Sequence, residues 1–148
     1  MMAGNRSHRA GPMIVLALVM GAFLARSPAA RAQDPDSGPA IAAMTGWLET
    51  IDAGEYGRSW DEASSLFRGS VTRDRWLQAM RGSRRPLGER KSRKLAKAEF
   101  HRSLPGAPDG TYFVLTFDTS FLDKSHAVET VAAMKEGDGW RAAGYFIR

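Results

Sequence analysis

TYFVLTFDT, residues 111–119, carries apolar side chains on both faces of a two-residue period. Phe113, Leu115 and Phe117 fall on one side, Tyr112 and Val114 on the other. A strand covered on both faces reads this way, so the stretch predicts a central strand. Toward the C-terminus, AVETVAAMK (127–135) and WRAAGYFI (140–147) predict two further strands, joined by a hairpin turn at Gly137-Asp138-Gly139. Toward the N-terminus, SLPGAPDG is a turn cluster. Before it, Ala96, Ala98 and Phe100 alternate with Lys97, Glu99 and His101, predicting a strand over 94–103.

Upstream of Pro86 the period becomes helical. Ile41, Met44, Trp47, Leu48 and Ile51 form one apolar stripe, with Pro39 in the first turn and Gly54 as the stop. Ser59-Trp60-Asp61-Glu62 matches a capping box and predicts a second helix over 59–69. Thr72 caps a third, with Asp74 in its first turn and Gly82 and Pro86 ending it. Helices first and strands after predict an α+β fold: about three helices packed on one face of a four-stranded antiparallel meander. Trp47, Trp60 and Trp76 are expected to face the sheet, and such a layer pair often leaves a pocket.

The chain has 148 residues, which suits one domain over 39–148 after a polar, frayed start at 33–38. Residues 1–32 read as a cleaved signal peptide. Arg6 and Arg9 precede the uncharged MIVLALVMGAFL (13–24), and Ala30-Arg31-Ala32 supplies the cleavage site. As a helix, twelve residues rise about 18 Å, well short of a membrane core of about 30 Å. An exported chain, periplasmic or secreted, is therefore expected. With no cysteine in the sequence, disulfides, thiol nucleophiles and Cys-ligated zinc are excluded.

Charge is the unusual feature. Residues 33–148 hold 17 basic and 16 acidic side chains, yet 68–102 carry twelve basic against three acidic. The densest part is RGSRRPLGERKSRK, 81–94. Arg81, Arg84, Arg85, Arg90, Lys91, Arg93 and Lys94 are its candidate contacts for an anionic envelope surface or a protein partner. Export argues against nucleic acid as the partner. Two other readings stand beside this one. The run could be a solvated edge, or it could face the acidic remainder of the chain, within one molecule or between two.

Nothing in the sequence composes a catalytic, cofactor or metal constellation. His101 and His126 are isolated, no nucleophile elbow occurs, and no glycine-rich phosphate loop precedes a helix. The alternative to a non-catalytic role is a small-molecule-binding or enzymatic domain with a pocket between sheet and helices. Asp118, Glu129 and Tyr145 are the candidate edge of that pocket.

FDTSF (117–121), ETV (129–131), DGW (138–140), GYFIR (144–148) and WLETIDAGEYGRSWDEAS (47–64) resemble the domain-of-unknown-function 4019 family. The resemblance spans residues 40–148. It implies a small exported bacterial protein with a single compact domain, and it implies no activity. The basic density from Arg84 to Lys97 departs from that pattern. The element order is also similar to cystatin-like and nuclear-transport-factor-like folds, a likeness without functional content.

Overall fold

The computed structural model describes residues 34–148; the expected leader lies outside them. Four α-helices come first: α1 (Gly38–Asp52), α2 (Tyr56–Asp61), α3 (Ser65–Ser70) and α4 (Arg73–Ser83). A 3-10 turn, Arg85–Leu87, leads into β1 (Arg90–His101), β2 (Tyr112–Phe121), β3 (Lys124–Glu136) and β4 (Gly139–Ile147). All neighbouring strands pair antiparallel in the order β1-β2-β3-β4. The chain is thus α+β with a meander.

The second helix departs from expectation. In place of one helix over 59–69, the chain breaks at 62–64 into α2 and α3. Ser59 is not a cap. It is fully buried inside α2, donates to the Tyr56 carbonyl at 2.8 Å and accepts from Trp76 Nε1 at 2.9 Å. The cap is Ser64, whose hydroxyl accepts from the Phe67 amide at 3.1 Å. The break has a tertiary cause. The Ser64 amide donates to the Ala142 carbonyl of β4 at 2.9 Å, and the Ser65 amide donates to Glu136 at 2.9 Å. Thr72 does cap α4, accepting from the Arg75 amide at 3.3 Å.

On β2, Phe113, Leu115 and Phe117 face the helices, and Thr119 and Phe121 continue that buried row. On β3 the row is Ala133, Val131, Glu129 and Ala127. Of these, Phe113, Leu115, Phe117, Val131 and Ala133 meet Met44, Trp47, Leu48 and Ile51 of α1, Phe67 of α3 and Trp76 and Met80 of α4 in one core. At its centre Trp47 and Trp76 stack at 6.0 Å, with Tyr145 edge-on to both. Trp60 is only half buried at the rim, where its Nε1 donates to the Val71 carbonyl at 2.7 Å. Among the described residues, no helix is long and apolar enough to cross a membrane.

The sheet has four register shifts, one of them beside the β2–β3 turn, and the other three re-aim side chains. In β1, Arg90 pairs with Phe121 and Ser92 with Ser120, so Lys91 is an extra residue. A second shift lies between Leu95 and Lys97, leaving Ala96 extra. An extra residue restarts the alternation. Arg90, Arg93, Leu95, Ala98 and Phe100 therefore lie opposite the inward row of β2, and the plain alternation of Ala96 with Ala98 does not hold. In β4, Ala133 pairs with Ala142 and Ala132 with Gly144, so Ala143 is extra and both Ala142 and Tyr145 point inward.

Candidate functional site

The inward rows of β2 and β3 turn polar at one end of the core, and the basic segment closes over that end. Glu129 lies on β3 with 0% exposure. It accepts from Arg93 Nε at 2.7 Å, Arg93 Nη2 at 3.2 Å, Thr119 Oγ1 at 2.6 Å and Tyr145 Oη at 2.7 Å. Asp52, the last residue of α1, accepts from Arg93 Nη1 at 2.7 Å and Nη2 at 2.9 Å. It also accepts from Arg84 Nη2 at 2.8 Å and Arg90 Nε at 2.7 Å. Arg93 is thus a two-sided fork between the carboxylates of α1 and β3, a geometry that a guanidinium provides and an ammonium does not.

Arg84 is buried for a further reason. Its guanidinium sits 4.1 Å from the centroid of the Phe121 ring, and Nη1 donates to the Gly88 carbonyl at 3.0 Å. Gly88 has φ +74°, and a Cβ there would lie 2.7 Å from an Asp123 carboxylate oxygen. The positive φ is the condition that favours glycine, since the exposed Asp123 carboxylate can swing aside. The flanking carbonyls of Leu87 and Glu89 accept from the amides of Asp123 and Leu122 at 3.0 and 2.8 Å. The approach to β1 is thereby tied to the β2–β3 turn, and Arg84 is delivered inward.

The electrostatics suit pinning better than proton transfer. Burial works against an ionised Asp52, but hydrogen bonds from Arg93, Arg84 and Arg90 outweigh it and hold the carboxyl below the usual carboxylate range. Burial also opposes the charge on Arg93, and the hydrogen bonds to Asp52 and Glu129 again win, fixing it more firmly as a cation. Burial and then the Glu129 charge push the Tyr145 phenol far up, so it stays a neutral donor. A carboxylate has about four acceptor positions, and both Glu129 and Asp52 have four donors. No lone pair is left for a substrate or a metal. Among the described residues, no group of three or more His, Asp or Glu side chains is placed to hold a metal ion.

Asp52 gives a pH prediction. Its pKa is lowered by folding, so its contribution is complete above the unfolded value of about 3.9 and disappears as pH falls through the lower folded value. The Asp52→Asn variant is expected to be less stable than the parent at pH 7, with the gap narrowing below pH ~4. Urea midpoints across pH 2–7 read this directly, and a gap that stays constant with pH contradicts it.

The expected surface contacts part company. Arg84 and Arg93 turn inward to the carboxylates, which removes them from any outer contact surface, whereas Arg90 pairs with Asp52 through Nε and keeps its outer edge partly exposed. Lys91 is exposed and pairs with Glu89 at 3.0 Å. Lys94 lies on the outer face of the sheet, beside Ser92, Asp118, Ser120 and His126. Arg81 and Arg85 line an open groove of about 520 Å³ between α2 and α4, together with Arg58, Arg73, Tyr56 and Leu77. The expected pocket edge divides as well. Glu129 and Tyr145 meet in the core with no free space between them, while Asp118 is exposed on the opposite face of the sheet.

Sequence reasoning missed Asp52, Thr119, Arg58 and Arg73. The one signal for Asp52 was the charge asymmetry: an acidic remainder able to face a basic segment within one molecule.

Comparison with known proteins gives one family. The chain belongs to the family described as "Protein of unknown function (DUF4019)", which matches residues 42–145. No match was found among curated proteins or among solved structures.

Proposed function

We propose that this DUF4019 domain is an exported, non-catalytic binding module that lays its α2–α4 groove against an anionic envelope surface. The observation that carries the reading is the convergence of Arg58, Arg73, Arg81 and Arg85 on one groove whose lining has Glu55 as its acid. Arg58 is partly neutralised by Glu55 and Glu62, and Arg73 by Asp61. Arg81 and Arg85 have no ion pair among the described residues and are the free charges. Export is supported by the basic, apolar and Ala-x-Ala succession of residues 1–32. A non-catalytic role is supported by the saturation of both buried carboxylates. The helices-then-meander order supports an analogy with cystatin-like and nuclear-transport-factor-like folds, as architecture alone.

The test is sedimentation with phosphatidylglycerol vesicles at rising salt, with phosphatidylcholine vesicles as the neutral control. Each cation near an anionic surface adds about 1 kcal/mol, so Arg81→Ala with Arg85→Ala is expected to weaken binding roughly thirty-fold. Binding should also fall steeply with salt. No binding at low salt, or equal binding by the double variant, overturns the proposal. Arg84, Arg90 and Arg93 are unsuitable for this test, because replacing them disturbs the core.

A further inference from the structure

α1 lies across β3 and β4, so the inner face of β1 is only partly covered: Leu95 is half buried and Ala98 exposed. The result is a cleft of about 190 Å³ between α1 and β1. Its α1 wall is Ile41, Thr45 and Glu49, a stripe at four-residue spacing. Its strand wall is Leu95 and Phe117, with Arg90 and Arg93 at one end.

The chemistry of that lining is specific. Three guanidiniums meet two carboxylates in the network beneath, leaving one positive charge uncompensated. The surplus falls on Arg90, whose side chain is 32% exposed. Its Nε is spent on Asp52, and its two terminal nitrogens have no hydrogen-bond partner among the described residues. Glu49 is exposed and likewise has no ion pair among the described residues. The cleft therefore offers one cation, one anion, a hydroxyl and an apolar floor. Its volume is below the roughly 300 Å³ at which pockets for drug-sized ligands begin.

We propose that this cleft binds a free aliphatic α-amino acid of about the size of leucine. The carboxylate would pair with the open edge of Arg90, the ammonium with Glu49 beside Thr45, and the side chain would cover Ile41, Leu95 and Phe117. A plain carboxylate would satisfy Arg90 but leave Glu49 facing an apolar group, and a plain amine would fail in the reverse sense. The site is separate from the α2–α4 groove, and each proposal stands or falls without the other.

Titration calorimetry of the purified chain with leucine tests it. A saturable heat with a dissociation constant of about 1 mM or tighter is expected. Loss of one charge-assisted contact is worth a factor of roughly ten or more, so Glu49→Gln, Arg90→Gln and the probe 4-methylpentanoate should each weaken binding by that factor. Glu49 is on the surface, so Glu49→Gln is expected to fold even if Arg90→Gln does not. Arg81→Ala with Arg85→Ala should leave leucine binding unchanged. No saturable heat with leucine overturns the proposal. So does 4-methylpentanoate binding as well as leucine, or Glu49→Gln binding leucine as the parent does.

Discussion

Replacing Arg93 with Ala is expected to lower folding stability by about 3–5 kcal/mol, the range for breaking a buried ion pair from one side. The loss comes less from missing attraction than from what remains. Glu129 has 0% exposure and would keep only Thr119 and Tyr145 as donors. Asp52 would lose its bidentate partner at the end of α1. Arg93→Lys should restore only a small part, because one ammonium does not reproduce a fork gripping two carboxylates. Adding Glu129→Gln to Arg93→Ala removes the stranded charge. The double variant should therefore be more stable than the sum of the single losses predicts, by about 1–3 kcal/mol. Urea unfolding with an unchanged slope is the measurement. A single-variant loss below about 1 kcal/mol would mean that water replaces Arg93 freely, and the network would not be what pins β1 to α1.

Trp76→Ala is expected to cost a comparable 3–5 kcal/mol, for a different reason. Trp76 is 5% exposed, stacks on Trp47 at 6.0 Å and meets Phe67 edge-on at 5.1 Å. Its removal leaves a cavity at the contact of α1, α3 and α4 with the sheet. It also strips the Ser59 hydroxyl of the indole N–H that it accepts at 2.9 Å. Trp76→Phe separates the two effects. The ring is kept in part and the hydrogen bond is lost, so its cost should be markedly smaller than that of the alanine variant. If the two variants were equally destabilised, the buried hydrogen bond rather than ring packing would dominate at this position. Denaturant midpoints of parent and both variants decide between these outcomes.

The fate of the basic segment links both results to function. As a string, residues 81–94 look like one contact surface. In the fold they separate: Arg84 and Arg93 complete the core, Arg90 joins them at its partly exposed rim, Arg81 and Arg85 enter a groove, and Lys94 lies on the far face of the sheet. A polyanion-binding test that replaced all seven would confuse loss of folding with loss of contact.

Local chemistry accounts for what the sequence by itself determined. The alternation of Phe113, Leu115 and Phe117, the stripe from Ile41 to Ile51, the Thr72 cap and the Gly137-Asp138 turn each depend on neighbours a few residues away. Together they determine α+β order, an antiparallel meander and the main core. The destinations of charged side chains depend on partners far along the chain. Arg93 finds Asp52 across 41 positions and Glu129 across 36. It reaches them because an extra residue at Lys91 places Arg90 and Arg93 on one face, three positions apart where plain alternation would set them opposite. A bulge at Ala143 does the same for Tyr145, and the β4 edge breaks the second helix at Ser64. Register, bulges and helix breaks of this kind are settled when strands and helices dock, since only then does a buried carboxylate require a cation beside it.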